Sequence, residues 1–171
     1  MLLKKNFLLT GKPGVGKTTI IKNLIPKLKN AGGFFTEEIR EKGKRIGFKI
    51  LTLNGKEGIL ARKEEGVYKV GSYSVNMKDL EEIAVKAVIQ AIKEKEIVVI
   101  DEIGKMEILS NKFREAVIEA LDSRKVVLGV IHREDSGFFK EIKERNDVEL
   151  LEVRFDNRDE ISRKLEKFLK I

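Results

Sequence analysis

A chain of 171 residues can bury one substantial hydrophobic core but not two, so a single domain over residues 1–171 with a small insertion is expected. The absence of cysteine excludes disulfides and cysteine-based zinc or iron–sulfur sites, and one histidine leaves oxygen ligands for a metal, which favours Mg²⁺. A net charge of +7 is compatible with a nucleic-acid partner, but with 37% charged residues the interleaved Lys and Glu favour a heat-adapted surface rich in ion pairs.

The N-terminal residues predict neither a signal peptide nor a membrane anchor. Met1-Leu2-Leu3-Lys4-Lys5 leads directly into a short apolar run, and no apolar stretch approaches the length of a membrane span. A cytoplasmic protein without a membrane partner is therefore expected.

The first part of the chain predicts a strand, a glycine-rich loop and a helix. Phe7-Leu8-Leu9 is typical of a short buried strand, and apolar residues recur at helical spacing over about residues 17–29. Between them, Gly11-Lys12-Pro13-Gly14-Val15-Gly16-Lys17-Thr18 matches the P-loop pattern G-x-x-x-x-G-K-[ST]. Pro26 predicts that the helix kinks or ends near that position, because proline cannot donate a backbone hydrogen bond.

This loop predicts a site for the phosphates of a nucleotide. Glycines allow the backbone to approach a ligand closely, and the unpaired N–H groups at the helix start face a bound anion. Lys17 is predicted to bind the β- and γ-phosphates, and the Thr18 hydroxyl to ligate Mg²⁺, with Thr19 as the second choice. The predicted nucleotide-binding residues are Gly11, Lys12, Pro13, Gly14, Val15, Gly16, Lys17, Thr18 and Thr19.

Three short strands are predicted after this helix, at residues 34–39, 46–53 and 58–61. They are joined at Lys42-Gly43-Lys44 and at Asn54-Gly55. Asn-Gly between apolar runs is a strong hairpin signal, since a type I′ turn needs positive φ at both positions. An antiparallel β-meander over residues 33–62 is therefore predicted as an insertion, while residues 62–75 are ambiguous between strand and loop.

Strands and helices alternate from residue 76 onward. Asn76 is a predicted N-cap with Asp79 in the capping-box position, followed by a helical apolar face that extends to Ile92. Residues 97–100 and 126–131 are apolar throughout, as in a parallel sheet, and residues 148–153 alternate like an edge strand. The alternation predicts an α/β fold with a mostly parallel, doubly wound sheet that binds ligands at the carboxyl ends of its strands.

Two adjacent carboxylates follow the strand at residues 97–100. Asp101 is predicted to hold Mg²⁺ directly or through water, and Glu102 to orient and polarise the water that attacks the γ-phosphate. His132, at the end of the next strand, is either a neutral donor to that phosphate or a polar loop residue. Three arginines are each either a transition-state charge donor or a surface charge: Arg124, Arg133 and Arg158.

The sequence resembles the THEP1 family of nucleoside-triphosphatases, which includes a human cancer-related member. The P-loop together with Asp101-Glu102-Ile103-Gly104-Lys105-Met106-Glu107 carries the resemblance, and Asn157-Arg158-Asp159 is one of the supporting stretches. The resemblance implies a three-layer, RecA-like P-loop NTPase that hydrolyses ATP, GTP, CTP, UTP and TTP with Mg²⁺ and little base preference. It also implies that Lys105 and Glu107 lie near the nucleotide and that Asn157 and Arg158 approach the base.

Three functions stay open at this point. The first is a nucleoside-triphosphatase with water as the acceptor, which Glu102 beside Asp101 favours. The second is a small-molecule or nucleotide kinase whose meander binds the acceptor, although no Arg-rich lid segment stands out. The third, suggested by the positive charge, is a nucleotide-dependent nucleic-acid-binding protein.

Overall fold

Nine strands form one mixed sheet within residues 3–171, the part of the chain that the computed structural model describes. They are β1 (Asn6–Thr10), β2 (Ala31–Glu41), β3 (Lys44–Thr52), β4 (Glu57–Arg62), β5 (Lys69–Val70), β6 (Tyr73–Val75), β7 (Ile97–Ile103), β8 (Val126–Ile131) and β9 (Val148–Glu152). The helices are α1 (Lys17–Leu24), α2 (Met77–Asp79), α3 (Lys86–Glu94), α4 (Asn111–Asp122), α5 (Gly137–Lys143) and α6 (Arg158–Leu169). A π-helical segment, Leu80–Val85, joins α2 to α3, and 3-10 turns cover Ile25–Lys27 and Glu107–Leu109.

The sheet combines a parallel centre with an antiparallel extension. Its strand order is β5-β6-β4-β3-β2-β7-β8-β1-β9. The five strands from β2 to β9 in this order are parallel neighbours, and β3, β4, β6 and β5 continue the sheet by antiparallel pairing. The predicted α/β fold is therefore confirmed with a parallel centre, whereas the sheet as a whole is mixed; β9 lies at an edge, as predicted. Because β8 lies between β1 and β7, the carboxyl ends of these three strands are side by side.

Strand β2 belongs to both parts of the sheet. It begins at Ala31, before the predicted first strand of the meander, and pairs in parallel with β7 as far as Phe34. From Phe34 onward it pairs antiparallel with β3. The predicted meander thus continues the central sheet, and its direction is set by the pairing of β2 with β7.

Helices cover both faces of the central sheet because the side chains of its strands alternate between two buried clusters. One cluster joins the sheet to α3, α4 and α5 and includes Leu8, Val98, Ile100, Val88, Phe113 and Ile142. The other joins it to α1 and α6 and includes Phe7, Leu9, Val99, Ile21, Leu24 and Leu165. In the described part of the chain, no helix combines the length and the apolar character needed to cross a membrane.

The predicted helix boundaries are explained by local contacts. The Asn76 side chain caps the helix as predicted, since its Oδ1 accepts a hydrogen bond from the Asp79 backbone N–H at 2.9 Å. Helix α1 ends at Leu24, and Pro26 lies in the 3-10 turn that follows, where its missing N–H interrupts the α-helical ladder. The first helix is therefore shorter than the predicted span of about residues 17–29.

The prediction of a type I′ turn at Asn54-Gly55 is wrong. Only Gly55 has a positive φ there, of +94°, and a four-residue loop separates β3 from β4. Within that loop the Thr52 hydroxyl accepts a hydrogen bond from the Lys56 N–H at 2.8 Å, which stabilises a wider connection. Positive φ at both central positions occurs instead between β2 and β3, at Lys42 (+50°) and Gly43 (+77°).

Candidate active site

The loop between β1 and α1 is folded around the Lys17 side chain. Lys17 Nζ donates hydrogen bonds to the carbonyl oxygen of Gly11 at 2.6 Å and to that of Lys12 at 2.9 Å. Gly16 precedes α1 with a φ of +105°, a conformation that a residue with a side chain rarely adopts. The loop therefore holds an ammonium group beside the free N–H groups at the start of α1, which is the arrangement of an anion-binding site.

The fold brings the two adjacent carboxylates to this loop. Thr18 Oγ1, on the first turn of α1, donates to Asp101 Oδ1 on β7 at 3.3 Å, although the two residues are 83 positions apart. Glu102 follows on the same strand and lines the same cavity as Lys17. The structure thus unites the two sequence motifs in one site.

The oxygens of Thr18 and Asp101 fit a magnesium ion. Asp101 is buried, and its Oδ2 has no hydrogen-bond partner among the described residues, which leaves it available to a cation. Burial, and then the charge of Glu102, raise the pKa of Asp101 to about 7, a cost that a divalent cation would offset. No group of three or more His, Cys, Asp and Glu within residues 3–171 could hold a metal by itself. That also suits Mg²⁺, which takes one or two protein oxygens and leaves its other positions to phosphate and water.

A cavity of about 720 Å³ extends from the P-loop and the acid pair to the antiparallel strands. Its lining includes the P-loop residues Gly11, Pro13, Gly14, Gly16, Lys17, Thr18 and Thr19. The remaining lining residues come from α1, β2, β3 and the loop after β8; they are Lys22, Thr36, Glu37, Glu38, Arg40, Phe48, His132 and Arg133. Sequence reasoning did not find the side chains from β2 and β3, because no motif marks them and only the pairing of β2 with β7 turns them toward the P-loop.

The Glu102 carboxylate is half-buried and lines the same cavity as Lys17. Burial raises the pKa of Glu102, and the nearby Lys17 ammonium opposes that shift. Burial likewise lowers the pKa of Lys17, which the charges of Glu102 and Asp101 oppose. A partly desolvated carboxylate with a raised pKa is suited to accept a proton from a neighbouring water molecule.

We expect Gly104→Ala to lower turnover about 10²-fold, because misplacing a catalytic group by about 1 Å has an effect of that size. A Cβ atom on Gly104 would lie 2.7 Å from Glu102 Oε1 and would displace the carboxylate rather than any backbone. Steady-state phosphate release checks the loss, and nucleotide affinity should stay within about threefold of wild type because the P-loop is untouched. Unchanged turnover in Gly104→Ala would contradict this placement of Glu102.

His132 lies at the carboxyl end of β8 and faces the cavity. Its Nδ1 accepts a hydrogen bond from the backbone N–H of Glu134 at 3.2 Å, and its ring stacks on Phe139. Burial, and then the charge of Lys105, lower the pKa of His132, which favours the neutral ring at pH 7. With Nδ1 acting as acceptor, the proton of the neutral ring resides on Nε2, so His132 can donate one hydrogen bond; a contact of His132 with phosphate stays a prediction.

Lys105 and Glu107, which the family resemblance associates with the nucleotide, lie around the acid pair rather than on the cavity wall. Lys105 is exposed and forms an ion pair with Glu134 at 3.0 Å. Glu107 is buried, and its Oε2 has no hydrogen-bond partner in the described part of the chain. Burial, followed by the charges of Glu102 and Asp101, raises the pKa of Glu107 well above its usual value.

We expect Glu107→Gln to gain stability relative to wild type as pH rises from about 5 to 8, by about 1–3 kcal/mol in the free energy of unfolding. A raised folded-state pKa means that the folded protein binds this proton more tightly than the unfolded chain. The stabilisation is present below the unfolded pKa and is lost as pH rises through the folded pKa, whereas glutamine has no such dependence. Urea unfolding with EDTA and without nucleotide measures the difference, with the exposed Glu64→Gln as control. A difference that does not change with pH would contradict the expectation.

Asn157 is the last residue of the loop between β9 and α6, and Arg158 is the first residue of α6, next to the P-loop. The Asn157 amide is engaged by its own loop, since Oδ1 accepts from the Arg154 N–H at 2.7 Å and Nδ2 donates to the Glu152 carbonyl at 2.9 Å. Arg158 lies against Gly16, where a Cβ atom would be 3.0 Å from Arg158 Cδ. A direct Asn157 contact to a base stays a prediction, and the structure gives this residue a loop-shaping role.

These features together define a class of protein. A strand is followed by a phosphate loop and a helix, and an acid pair lies on a parallel strand that one further strand, β8, separates from the first. This arrangement is that of a P-loop NTPase. The model of the NTPase family matches residues 6–166.

The particular family follows from individual relatives. The chain is 54% identical over 164 residues to the nucleoside-triphosphatase THEP1 of Thermotoga sp. strain RQ2, covering 95% of this chain and 94% of the relative. The crystal structure of THEP1 from Aquifex aeolicus superposes with a TM-score of 0.89 at 36% identity, covering 97% of this chain and 99% of the other. The solution structure of a human cancer-related nucleoside triphosphatase superposes with a TM-score of 0.81 at 35% identity, covering 96% of each chain. The chain belongs to the THEP1 nucleoside-triphosphatase family, as its sequence motifs predicted.

Proposed function

We propose that this protein hydrolyses nucleoside triphosphates to diphosphate and phosphate, with Mg²⁺ as cofactor and little preference among ATP, GTP, CTP, UTP and TTP. The contact of Thr18 with Asp101, which brings the acid pair to the P-loop, is the observation that carries this proposal. Weak base selection is supported by the chemistry of the cradle, because backbone N–H groups bind phosphates that all nucleotides share. The position of β8 between β1 and β7 supports assignment to the RecA-like class, and a cytoplasmic location stays a prediction.

The chain's own residues supply the parts of the reaction. Glu102 accepts a proton from water while the water oxygen forms a bond to the γ-phosphorus and the bond from that phosphorus to the β–γ bridging oxygen breaks. The diphosphate leaves with the bonding electrons, and Lys17 and the Nε2–H of His132 stabilise the charge on the transferred phosphoryl group. Thr18 and Asp101 would hold Mg²⁺, which neutralises charge on the phosphate oxygens when bound.

Among the three candidate arginines, we assign Arg133 to transition-state stabilisation. It lines the cavity with Lys17 and Glu102, and the neighbouring carboxylate, Glu134, pairs with Lys105 instead. Burial lowers the pKa of Lys17, the charges of Glu102 and Asp101 oppose that shift, and the charge of Arg133 lowers the pKa further. Arg158 lies outside the cavity lining, against Gly16, and Arg124 precedes the amino end of β8, at the opposite end of that strand from Arg133.

We expect Arg133→Ala to lower kcat about 10²-fold with a smaller change in KM, because its guanidinium stabilises charge that develops on the transferred phosphoryl oxygens. Single-turnover hydrolysis of ATP measures the effect on the chemical step. The matched control is Arg124→Ala, which removes a guanidinium from the other end of β8. Equal turnover in the two variants would show that Arg133 has no such role.

A kinase is the second candidate, because the cavity extends beyond the P-loop to side chains of β2 and β3. Thr36, Glu37, Arg40 and Phe48 form a wall that could receive the acceptor hydroxyl of a small molecule. Lys22 of α1 forms an ion pair with Glu37 at 2.6 Å and connects this wall to the P-loop helix. The size of the cavity therefore favours a kinase with a second substrate, whereas the acid pair favours hydrolysis with water as the acceptor.

The deciding experiment measures phosphate release from the five common nucleoside triphosphates, each with Mg²⁺ and with EDTA. We expect release from all five, with kcat/KM values within about tenfold of one another, and none without the metal. Lys17→Ala, purified in the same way, controls for contaminating phosphatases. Release that stays near the background until an acceptor is added would support the kinase and contradict the proposed hydrolysis.

A further inference from the structure

Phe155 lies in the loop between β9 and α6 and is 70% exposed, more than any other aromatic side chain in the described part of the chain. A single exposed apolar residue needs no explanation by itself. The position of Phe155 is what calls for an explanation. The Arg158 guanidinium lies over the Phe155 ring, 5.6 Å from the ring centroid, and the Arg158 side chain packs against Gly16 of the P-loop. The exposed ring is thus connected to the end of the phosphate cradle through one arginine.

The loop that carries Phe155 is held firmly against the P-loop. The Val153 N–H donates to the Thr10 carbonyl at 2.8 Å, and a Cβ on Gly11 would lie 2.6 Å from the Val153 carbonyl oxygen. The two hydrogen bonds of the Asn157 amide brace the same loop from within. Phe155 is therefore presented on a constrained loop.

The polarity of the site indicates which part of a nucleotide reaches this loop. Asp101, Glu102 and His132 mark the γ-phosphate end, and they lie on β7 and at the end of β8, on one side of β1. Strand β9 lies on the other side of β1. A triphosphate bound along the loop between β1 and α1, with its terminal phosphate toward the acid pair, directs its nucleoside toward β9 and the loop after it.

We propose that Phe155 is a stacking surface for the nucleobase, which Arg158 positions relative to the P-loop; this inference rests on the proposed nucleotide-binding function. Every base has a π-face, so stacking on an aromatic ring contributes affinity without reading the hydrogen-bonding edge of the base. Stacking combined with a backbone phosphate cradle gives binding of all nucleotides at similar strength. The larger rings of purines give them a modest advantage over pyrimidines.

The test compares ligands with and without a base. Calorimetric titration with Mg²⁺ measures the Kd of ATP, GTP, CTP and UTP, and that of inorganic tripolyphosphate, for wild type and Phe155→Ala. We expect Phe155→Ala to raise Kd about tenfold for every nucleotide and to leave Kd for tripolyphosphate unchanged. Phe155→Trp should restore nucleotide affinity, and Tyr68→Ala, which removes an aromatic side chain 48% exposed next to the far edge strand β5, is the matched control.

Two results would overturn the inference. One is an unchanged Kd for nucleotides in Phe155→Ala, and the other is an equal rise for tripolyphosphate, which would indicate damage to the P-loop rather than loss of stacking. Because the readout is equilibrium binding, wild-type protein that binds nucleotides without hydrolysing them would contradict the proposed function but leave this test intact.

Discussion

Glu102→Gln lowers the turnover of nucleoside triphosphates about 10³-fold and leaves nucleotide affinity equal to or tighter than that of wild type. Glutamine keeps the size of the side chain but cannot accept a proton from the attacking water, and general-base catalysis contributes about 10²- to 10⁴-fold in enzymes. Affinity is preserved because Lys17 still binds the Gly11 and Lys12 carbonyls, so the P-loop keeps its shape. Loss of a negative charge near the γ-phosphate favours binding further.

The measurement for Glu102→Gln combines single-turnover hydrolysis with the Kd of Mg²⁺-ATP. The exposed Glu64→Gln is the matched control, because it makes the same chemical change away from the cavity. Turnover near the wild-type value would refute the role of Glu102 as base. Loss of both turnover and affinity would instead assign Glu102 to nucleotide binding.

Lys17→Ala lowers kcat/KM about 10⁴-fold or more, with a rise in KM and a fall in kcat. In the proposed mechanism the ammonium binds phosphate in the ground state and in the transition state, so its removal affects both parameters. Removing one preorganised donor typically lowers kcat about 10²- to 10³-fold, and losing a charge-assisted contact to phosphate weakens ground-state binding as well.

Phosphate release at varied ATP concentration, together with calorimetric Kd values, separates these two effects. Lys29→Ala removes an exposed ammonium beyond the end of α1 and controls for the change in net charge. A Lys17→Ala protein with unaltered affinity would show that the loop binds the triphosphate through its backbone N–H groups alone. The proposed contact of Lys17 with the β- and γ-phosphates would then be wrong.

The helix ends and the strands that lead into the site could be predicted from the sequence, because each depends on local stereochemistry. Pro26 ends the α-helical ladder because it has no backbone N–H to donate, and Asn76 caps a helix through the N–H of a residue three positions away. The apolar strands before Thr10 and Asp101 predicted buried parallel strands, and parallel strands end at one edge of a sheet. Even so, the turn type at Asn54-Gly55 was mispredicted, because the side chain of Thr52 stabilises a wider loop.

The order of the strands in the sheet determined which residues from distant parts of the sequence meet at the cavity. Insertion of β8 between β1 and β7 brings His132 and Arg133 to the cavity, while Arg124 lies at the other end of the same strand. Pairing of β2 with β7 directs the meander toward the P-loop and creates a wall that no motif marks. No local pattern specifies such contacts, because their free energy is gained only when distant segments pack together.

By itself, the sequence determined the phosphate loop, the carboxylate pair and the alternation of strands and helices, and it predicted oxygen ligands for a metal. These depend on backbone φ, on side-chain period and on residue type, all of which are properties of short segments. Only the tertiary structure decided that Thr18 meets Asp101, that Asn157 shapes its own loop and that Phe155 stands exposed beside the P-loop. Those facts follow from which strands pair and which loops share an edge of the sheet, and that outcome belongs to the whole chain.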